Sequence, residues 1–243
     1  MCIRDRLKGV SKAFGPVQAN KDINIAVPRG TIHGIIGENG AGKSTLMRAI
    51  SGFNRPNSGQ VLLNGKDITG LAPEKAAREG LRLVLDNHRV FPELTVRDNL
   101  RLGTAAHRGS TADFQRSLEE IHAVFPILKE KARNYARDMS GGQQQILALG
   151  QAFMARPKVL LCDEPSMGVA QMLLPPILAF LRKWAQSGTA VVIVEQHLKI
   201  TRPFTDRAMI IRRGEVALEC ASADLEARLD DLHAGRALSD ANA

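Results

Sequence analysis

One run near the start of the chain has the residue types and spacing to hold phosphate. Gly37-Glu38-Asn39-Gly40-Ala41-Gly42-Lys43-Ser44 fits the pattern G-x-x-x-x-G-K-[ST]. Gly37, Gly40 and Gly42 lack a Cβ, so the backbone can wrap closely round a polyphosphate, with Asn39 and Ala41 carried between them and their N–H groups turned inward. Lys43 supplies an ammonium for the β- and γ-phosphates, Ser44 a hydroxyl for Mg²⁺, and Thr45 the next hydroxyl along. Further on, Val159-Leu160-Leu161-Cys162 ends in Asp163-Glu164. A carboxylate at Asp163 can hold Mg²⁺, and Glu164 can orient or polarise an attacking water. Without a neighbouring phosphate loop the same pair would read as a solvated strand end.

Particular elements must position these groups. Thr31 to Ile36 is short, apolar and stopped by glycine, which predicts a buried strand, and Ser44 to Ile50 predicts a helix ending near Gly52. Strand, glycine loop and helix together are the setting the phosphate pattern needs, because the helix start adds the positive end of its dipole. Val159 to Cys162 predicts a second buried strand, with Asp163 at the carboxyl edge where ligands gather in parallel α/β sheets. Ser140-Gly141-Gly142-Gln143 spells a capping box and places a helix start at Ser140. Gly141 and Gly142 weaken the first turn of that helix, so close approach of a ligand such as phosphate to the backbone would explain them.

Taken together, these segments resemble the nucleotide-binding subunits of ATP-binding cassette (ABC) transporters, over roughly residues 7–225. The resemblance implies an α/β fold: a P-loop NTPase (RecA-like) core with an antiparallel β subdomain and an inserted helical subdomain. The expected division is 7–86 and 158–220 for core and β subdomain, 87–157 for the helical part, and 226–243 for a tail. Ser140 to Gln143 would be the signature motif that closes over ATP held by a second subunit, and Phe14 the aromatic that stacks on adenine. Phe91 to Leu100, Asp163 to Ala170, Val194 to His197 and the spacing to Asp206 resemble the branched-chain amino acid (Liv-type) importer branch. The implied activity is ATP hydrolysis with Mg²⁺. The implied partners are a second ATPase subunit, membrane permease subunits and, indirectly, a solute-binding protein. The segment from Asp86 to Leu100 would form the groove for the permease.

Three positions depart from the family pattern. The usual glutamine or glutamate of the Q-loop falls on Asp86, a shorter acid that reaches Mg²⁺ less easily. The switch histidine falls on Gln196, with His197 one residue later and turned to the other face by that shift. The D-loop aspartate falls on Ala170. Liv-type relatives tolerate the last two changes. Two other readings remain beside the importer: a catalytically weak regulatory ATP-binding module, and a soluble, non-transport ABC ATPase.

Composition agrees with a peripheral cytoplasmic ATPase. At 243 residues the chain can bury a sizeable core, and its strand-like and helix-like segments alternate. Val191 to Val194, Ala208 to Ile211 and a strand after Arg213-Gly214 are further expected strands, and Pro175-Pro176 marks a helix start. No run of about twenty apolar residues is present, and no signal-peptide pattern. The net charge of +8 is spread along the chain and only one Tyr and one Trp occur, so stacking platforms for nucleic acid are not indicated. An anionic inner membrane leaflet accounts for the charge equally well. Cys2, Cys162 and Cys220 lack metal-ligand spacing, and Cys162 reads as an apolar filler in a reducing compartment. His33, His107, His122 and His233 read as ordinary core or surface residues. Met1 to Arg6 fits the strand after it poorly, resembles an appended non-native segment and is set aside from the fold.

Overall fold

A computed structural model describes residues 5–85, 90–104, 111–167, 169–196 and 202–233. Two sheets form its framework. The larger has six strands in the order β10-β9-β3-β8-β7-β6. Strands β6 (Leu81–Val84), β7 (Val159–Asp163), β8 (Ala190–Glu195), β3 (Ile32–Ile36) and β9 (Arg207–Arg212) run parallel, and β10 (Glu215–Ala221) returns antiparallel beside β9. The smaller sheet is antiparallel in the order β2-β1-β4-β5, from β1 (Arg6–Phe14), β2 (Val17–Ala26), β4 (Ser58–Leu63) and β5 (Lys66–Asp67). Strands β3, β7 and β8 are buried along their whole length, which is why their sequences are mainly apolar rather than alternating.

Helices cover both faces of the larger sheet. On one face Val159, Leu161, Val192 and Val194 pack with Leu46 and Met47 of α1 (Lys43–Ile50) and with Val10, Ile23 and Val61 of the antiparallel sheet. On the other, Leu160, Cys162 and Val191 meet α7 (Leu174–Gln186) and the helices lying between β6 and β7. Helix α2 (Pro73–Glu79) precedes β6. The intervening helices are α3 (Val96–Gly103), α4 (Thr111–Val124), α5 (Pro126–Glu130) and α6 (Gly141–Met154). Proline occupies the first turn of α7, where its missing N–H costs nothing. Helix α8 (Leu225–His233) closes a small cluster of Ile36, Ile210, Leu218 and Leu225.

An aromatic cluster ties the inserted helices to the core. Phe125, at the start of α5, stands 5.1 Å from Phe180 of α7, edge-on, and Phe153 of α6 stands 5.1 Å from Trp184 of α7. Such edge contacts are favourable beyond the area they bury.

The structure corrects the reading of Met1 to Arg6. Residues 1–4 lie outside the described residues, but Arg6 is a full member of β1, opposite Ala26 on one side and Leu62 on the other. Asp5 is buried: its carbonyl accepts from Val27 N–H at 3.0 Å and its carboxylate accepts from Asn64 N–H. Asp5 and Arg6 thus belong to the fold, and their partners come from residues far along the chain. The first strand of a sheet tolerates exposed charge on its solvent face.

Cys162 is fully buried on β7 as expected, and burial pushes its thiol pKa up. His33 sits on β3 with Arg207 opposite, is 5% exposed, and its Nε2 has no hydrogen-bond partner among the described residues. Burial pushes its pKa down to about 4, the charge of Arg207 adds to that, and Asp206 opposes it. The folded state therefore binds fewer protons here than the unfolded chain, so stability is full above the ordinary histidine pKa and is lost as pH falls towards 4. Urea melts should lose about 2 kcal/mol between about pH 7.5 and pH 5 that His33→Leu does not lose. Equal pH slopes for parent and variant would remove His33 as the cause.

Candidate functional site

The phosphate loop runs from the end of β3 into α1 as expected. Gly40 and Gly42 take φ values of 78° and 105°, the left-handed region in which a side chain is strained. At Gly42 an added Cβ would stand 2.2 Å from the Ala19 carbonyl and 2.7 Å from Asn20 Nδ2, so antiparallel sheet and loop touch backbone to backbone. At Gly37 a Cβ would stand 2.5 Å from the Ile211 carbonyl. Lys43 is 5% exposed, and its ammonium donates to the carbonyls of Gly37 at 2.7 Å and Glu38 at 3.0 Å. The charge is thus already held within the curve of the loop, where a polyphosphate's oxygens would compete for it. Ser44 is exposed and Thr45 half-buried at the start of the helix.

One residue that supports this loop was not anticipated. Asn20 of β2 is fully buried and donates from Nδ2 to the Gly42 carbonyl at 3.0 Å. Nearby, Gly214 N–H donates to the Ala41 carbonyl at 2.9 Å, and Lys21 N–H donates to the Gly214 carbonyl at 2.8 Å. Strand β2, the phosphate loop and the β9–β10 turn are therefore laced together. The only hint in the sequence is a polar residue at an inward position of a strand.

Asp163 and Glu164 lie at the carboxyl edge of the sheet, beside the end of β8. Asp163 is 2% exposed as the last residue of β7. Glu164 N–H continues the pairing to the Val194 carbonyl at 2.9 Å, and the chain then turns at Glu164 with φ of 46°. A non-glycine residue held left-handed costs on the order of 1 kcal/mol or more, so its surroundings must hold it there. Gln196 Nε2 donates to Glu164 Oε1 at 2.7 Å. Glu195, 3% exposed, accepts from Ser166 N–H at 3.0 Å. Burial raises the pKa of Glu195 above the ordinary range, hydrogen bonds from Ser166 oppose this, and the charge of Glu164 adds to it. Sequence reasoning gave Glu195 no role, since a carboxylate before the switch position carries no pattern of its own.

A cleft of about 660 Å³ opens against the phosphate loop and joins two of the expected sets, with Glu38, Asn39 and Gly40 on one side and Gln196, Arg212 and Arg213 on the other. Ser140 to Gln143 are not brought there. The capping box forms as expected: Gln143 N–H donates to Ser140 Oγ at 3.4 Å, and Ser140 N–H to Gln143 Oε1 at 3.1 Å. Ser140 and Gly141 are exposed, and Gly142 packs so closely that a Cβ would stand 3.1 Å from Leu173 Cδ1. The start of α6 thus faces outward. Phe14 is 48% exposed at the end of β1, with Lys12 Nζ 5.0 Å from its ring centroid, so a flat ring face is available to a base. Asp86 and His197 lie outside the described residues, as do Gly168 and His107. Ser44 and Asp163 offer a hydroxyl and a carboxylate, the hard oxygen donors that Mg²⁺ takes beside phosphates.

A second groove, of about 540 Å³, lies on the side of the inserted helices, lined by Phe53, Arg82, Phe91, Leu102 and Gln151. Phe53, Phe91 and Leu102 are exposed large apolar residues. Burial lowers the pKa of Arg82 there.

Comparison with known proteins agrees with this geometry. A sequence-family model described as ABC transporter matches residues 20–167. The high-affinity branched-chain amino acid transport ATP-binding protein BraG of Pseudomonas aeruginosa is 36% identical over 216 residues, 89% of this chain and 92% of that protein. The methionine import ATP-binding protein MetN of Chromohalobacter salexigens is 34% identical over 226 residues, 90% of this chain but only 65% of its own length. Among solved structures, a dimeric post-hydrolysis ATP-binding cassette bound to ADP and Pi superposes with a TM-score of 0.80 at 25% identity, covering 90% of this chain and 98% of that one.

Proposed function

The chain belongs to the ABC transporter family as the ATP-hydrolysing subunit of an importer, and we propose that its cargo is branched-chain amino acids or related small polar solutes. The observation that supports this cargo is the 36% identity to BraG along 92% of that protein. A separate permease and solute-binding protein would select the solute. We read residues 87–157 as the helical subdomain, with 5–86 and 158–220 as core and β subdomain; the expected tail from 226 begins as α8, whose Leu229 packs on the small cluster.

The site residues divide the work. Lys43 and the loop amides bind the polyphosphate, and Phe14 offers its ring to adenine. Glu164 takes the proton of an attacking water, and Gln196 fixes the Glu164 carboxylate through the 2.7 Å contact. Ser44 and Asp163 would hold Mg²⁺, with Asp86 the further expected ligand; the ion would supply positive charge against the phosphates. The exposed start of α6 fits a role across an interface. Ser140 to Gln143 of one subunit would complete the nucleotide site of a second ATPase subunit, identical or similar. The groove at Phe53, Phe91 and Leu102 would receive a cytoplasmic segment of the permease, placing the chain at the inner face of the membrane. No helix among the described residues is long and apolar enough to cross a membrane.

Light scattering of Glu164→Gln with Mg²⁺ and rising ATP tests the two-sided arrangement. The expected result is a nucleotide-dependent doubling of mass that Ser140→Arg prevents. A constant mass for Glu164→Gln, also when the permease subunits are added, would overturn it. The second reading, a regulatory ATP-binding module, is favoured by one observation: Gln196 already occupies Glu164 Oε1. Equal ATP turnover by Glu164→Gln and the parent would support that module.

A further inference from the structure

The turn that carries Glu164 is held from two sides by the last residue of β8 and the one after it, and only one of them has a role so far. Gln196 reaches the Glu164 side chain, while Glu195 reaches the backbone of the same turn two residues on, at Ser166 N–H. Glu195 is 3% exposed on a fully buried strand, in register with Ile36, the residue before the phosphate loop. A carboxylate in such a place costs desolvation unless it does something specific with its oxygens. Here it accepts from Ser166 N–H at 3.0 Å.

We propose that Glu195 is a positioning residue for hydrolysis: by holding Ser166 N–H it fixes the left-handed turn at Glu164 and aims that carboxylate across the phosphate loop. The inference rests on reading Glu164 as the catalytic base. Met167 N–H closes the turn onto the Glu164 carbonyl at 3.0 Å, and Pro165 between them removes one donor that might otherwise anchor it. Ser166 is thus the remaining backbone donor inside the turn, and Glu195 receives it. Since β8 also pairs with β3, the same residue relates the base to the strand that launches the phosphate loop. Small misplacement of a catalytic group is enough to cost large factors in rate.

The test is single-turnover and steady-state ATP hydrolysis by the full chain with Mg²⁺, comparing Glu195→Ala, Glu195→Gln, Glu164→Gln and the double variant Glu195→Ala/Glu164→Gln. Glu195→Ala should lower kcat by roughly ten- to a hundredfold with KM for ATP within about twofold, because only the base is displaced. Glu195→Gln keeps an acceptor oxygen for Ser166 and should recover most of the rate. In the Glu164→Gln background, Glu195→Ala should change the single-turnover rate by less than about twofold, as expected for a residue acting through Glu164. Full rate in Glu195→Ala while Glu164→Gln is slow would overturn the inference alone, as would equal factors in both backgrounds or a Glu195→Gln as slow as Glu195→Ala. Full rate in Glu164→Gln would remove the catalytic reading and the inference together. If Glu195→Ala does not fold, Glu195→Gln and Glu195→Met decide: Glu195→Met, which leaves no oxygen for Ser166 N–H, at the parent rate, or Glu195→Gln as slow as Glu195→Met, would overturn it.

Discussion

Glu164→Gln lowers the rate of ATP hydrolysis by roughly a hundred- to a thousandfold while leaving ATP binding within about twofold. The variant keeps the shape of the side chain and an oxygen for the Gln196 amide, which donates at 2.7 Å. It removes only the ability to take a proton. Lys43, the loop amides and Phe14 make the binding contacts, and none of them touches Glu164 in the described hydrogen bonds. Hydrolysis and binding therefore separate cleanly, and nucleotide titration beside a phosphate-release assay measures both. A variant that binds ATP ten times more weakly would mean that Glu164 organises the loop rather than the water.

The second large effect belongs to a methyl group. Gly42→Ala should unfold the phosphate loop, abolish measurable ATP binding and destabilise the fold by on the order of 3 kcal/mol, or roughly ten degrees in Tm. Two penalties act at one place. A φ of 105° is strained for any side chain, and the new Cβ would stand 2.2 Å from a backbone carbonyl that cannot swing away like a flexible side chain. Gly40 is the internal comparison: its φ is also positive, but a Cβ there meets nothing within 4 Å. Gly40→Ala should cost about 1 kcal/mol, the backbone penalty without the collision. Thermal melts with and without ATP distinguish the two. Similar losses for both variants would mean that the loop yields where β2 presses on it.

The parts of this site that were legible in the sequence are those written in consecutive residues. The phosphate loop, the strand ending at Asp163 and the capping box at Ser140 each have a local physical cause, and each stands where its pattern placed it. The parts that were not legible depend on contacts between distant segments. Asn20 meets Gly42 only because β2 folds back over α1, and Glu195 meets Ser166 only because β7 and β8 are neighbours. Asp5 failed for the same reason in reverse, since its acceptors serve Val27 and Asn64. Gln196 was expected at the site from its position, but its bond to Glu164 required the strands to be aligned first.

Trp184, the only tryptophan of the chain, gives the molecule a built-in optical gauge. It is 3% exposed and packed edge-on against Phe153, so its emission should be blue-shifted and resistant to quenching by iodide. Because Phe153 belongs to the inserted helices and Trp184 to the core, intensity changes on adding nucleotide would register a swing of one against the other, with no label attached. Denaturation should move the emission to the red in a single step if the two parts unfold together, and in two steps if the inserted helices loosen first.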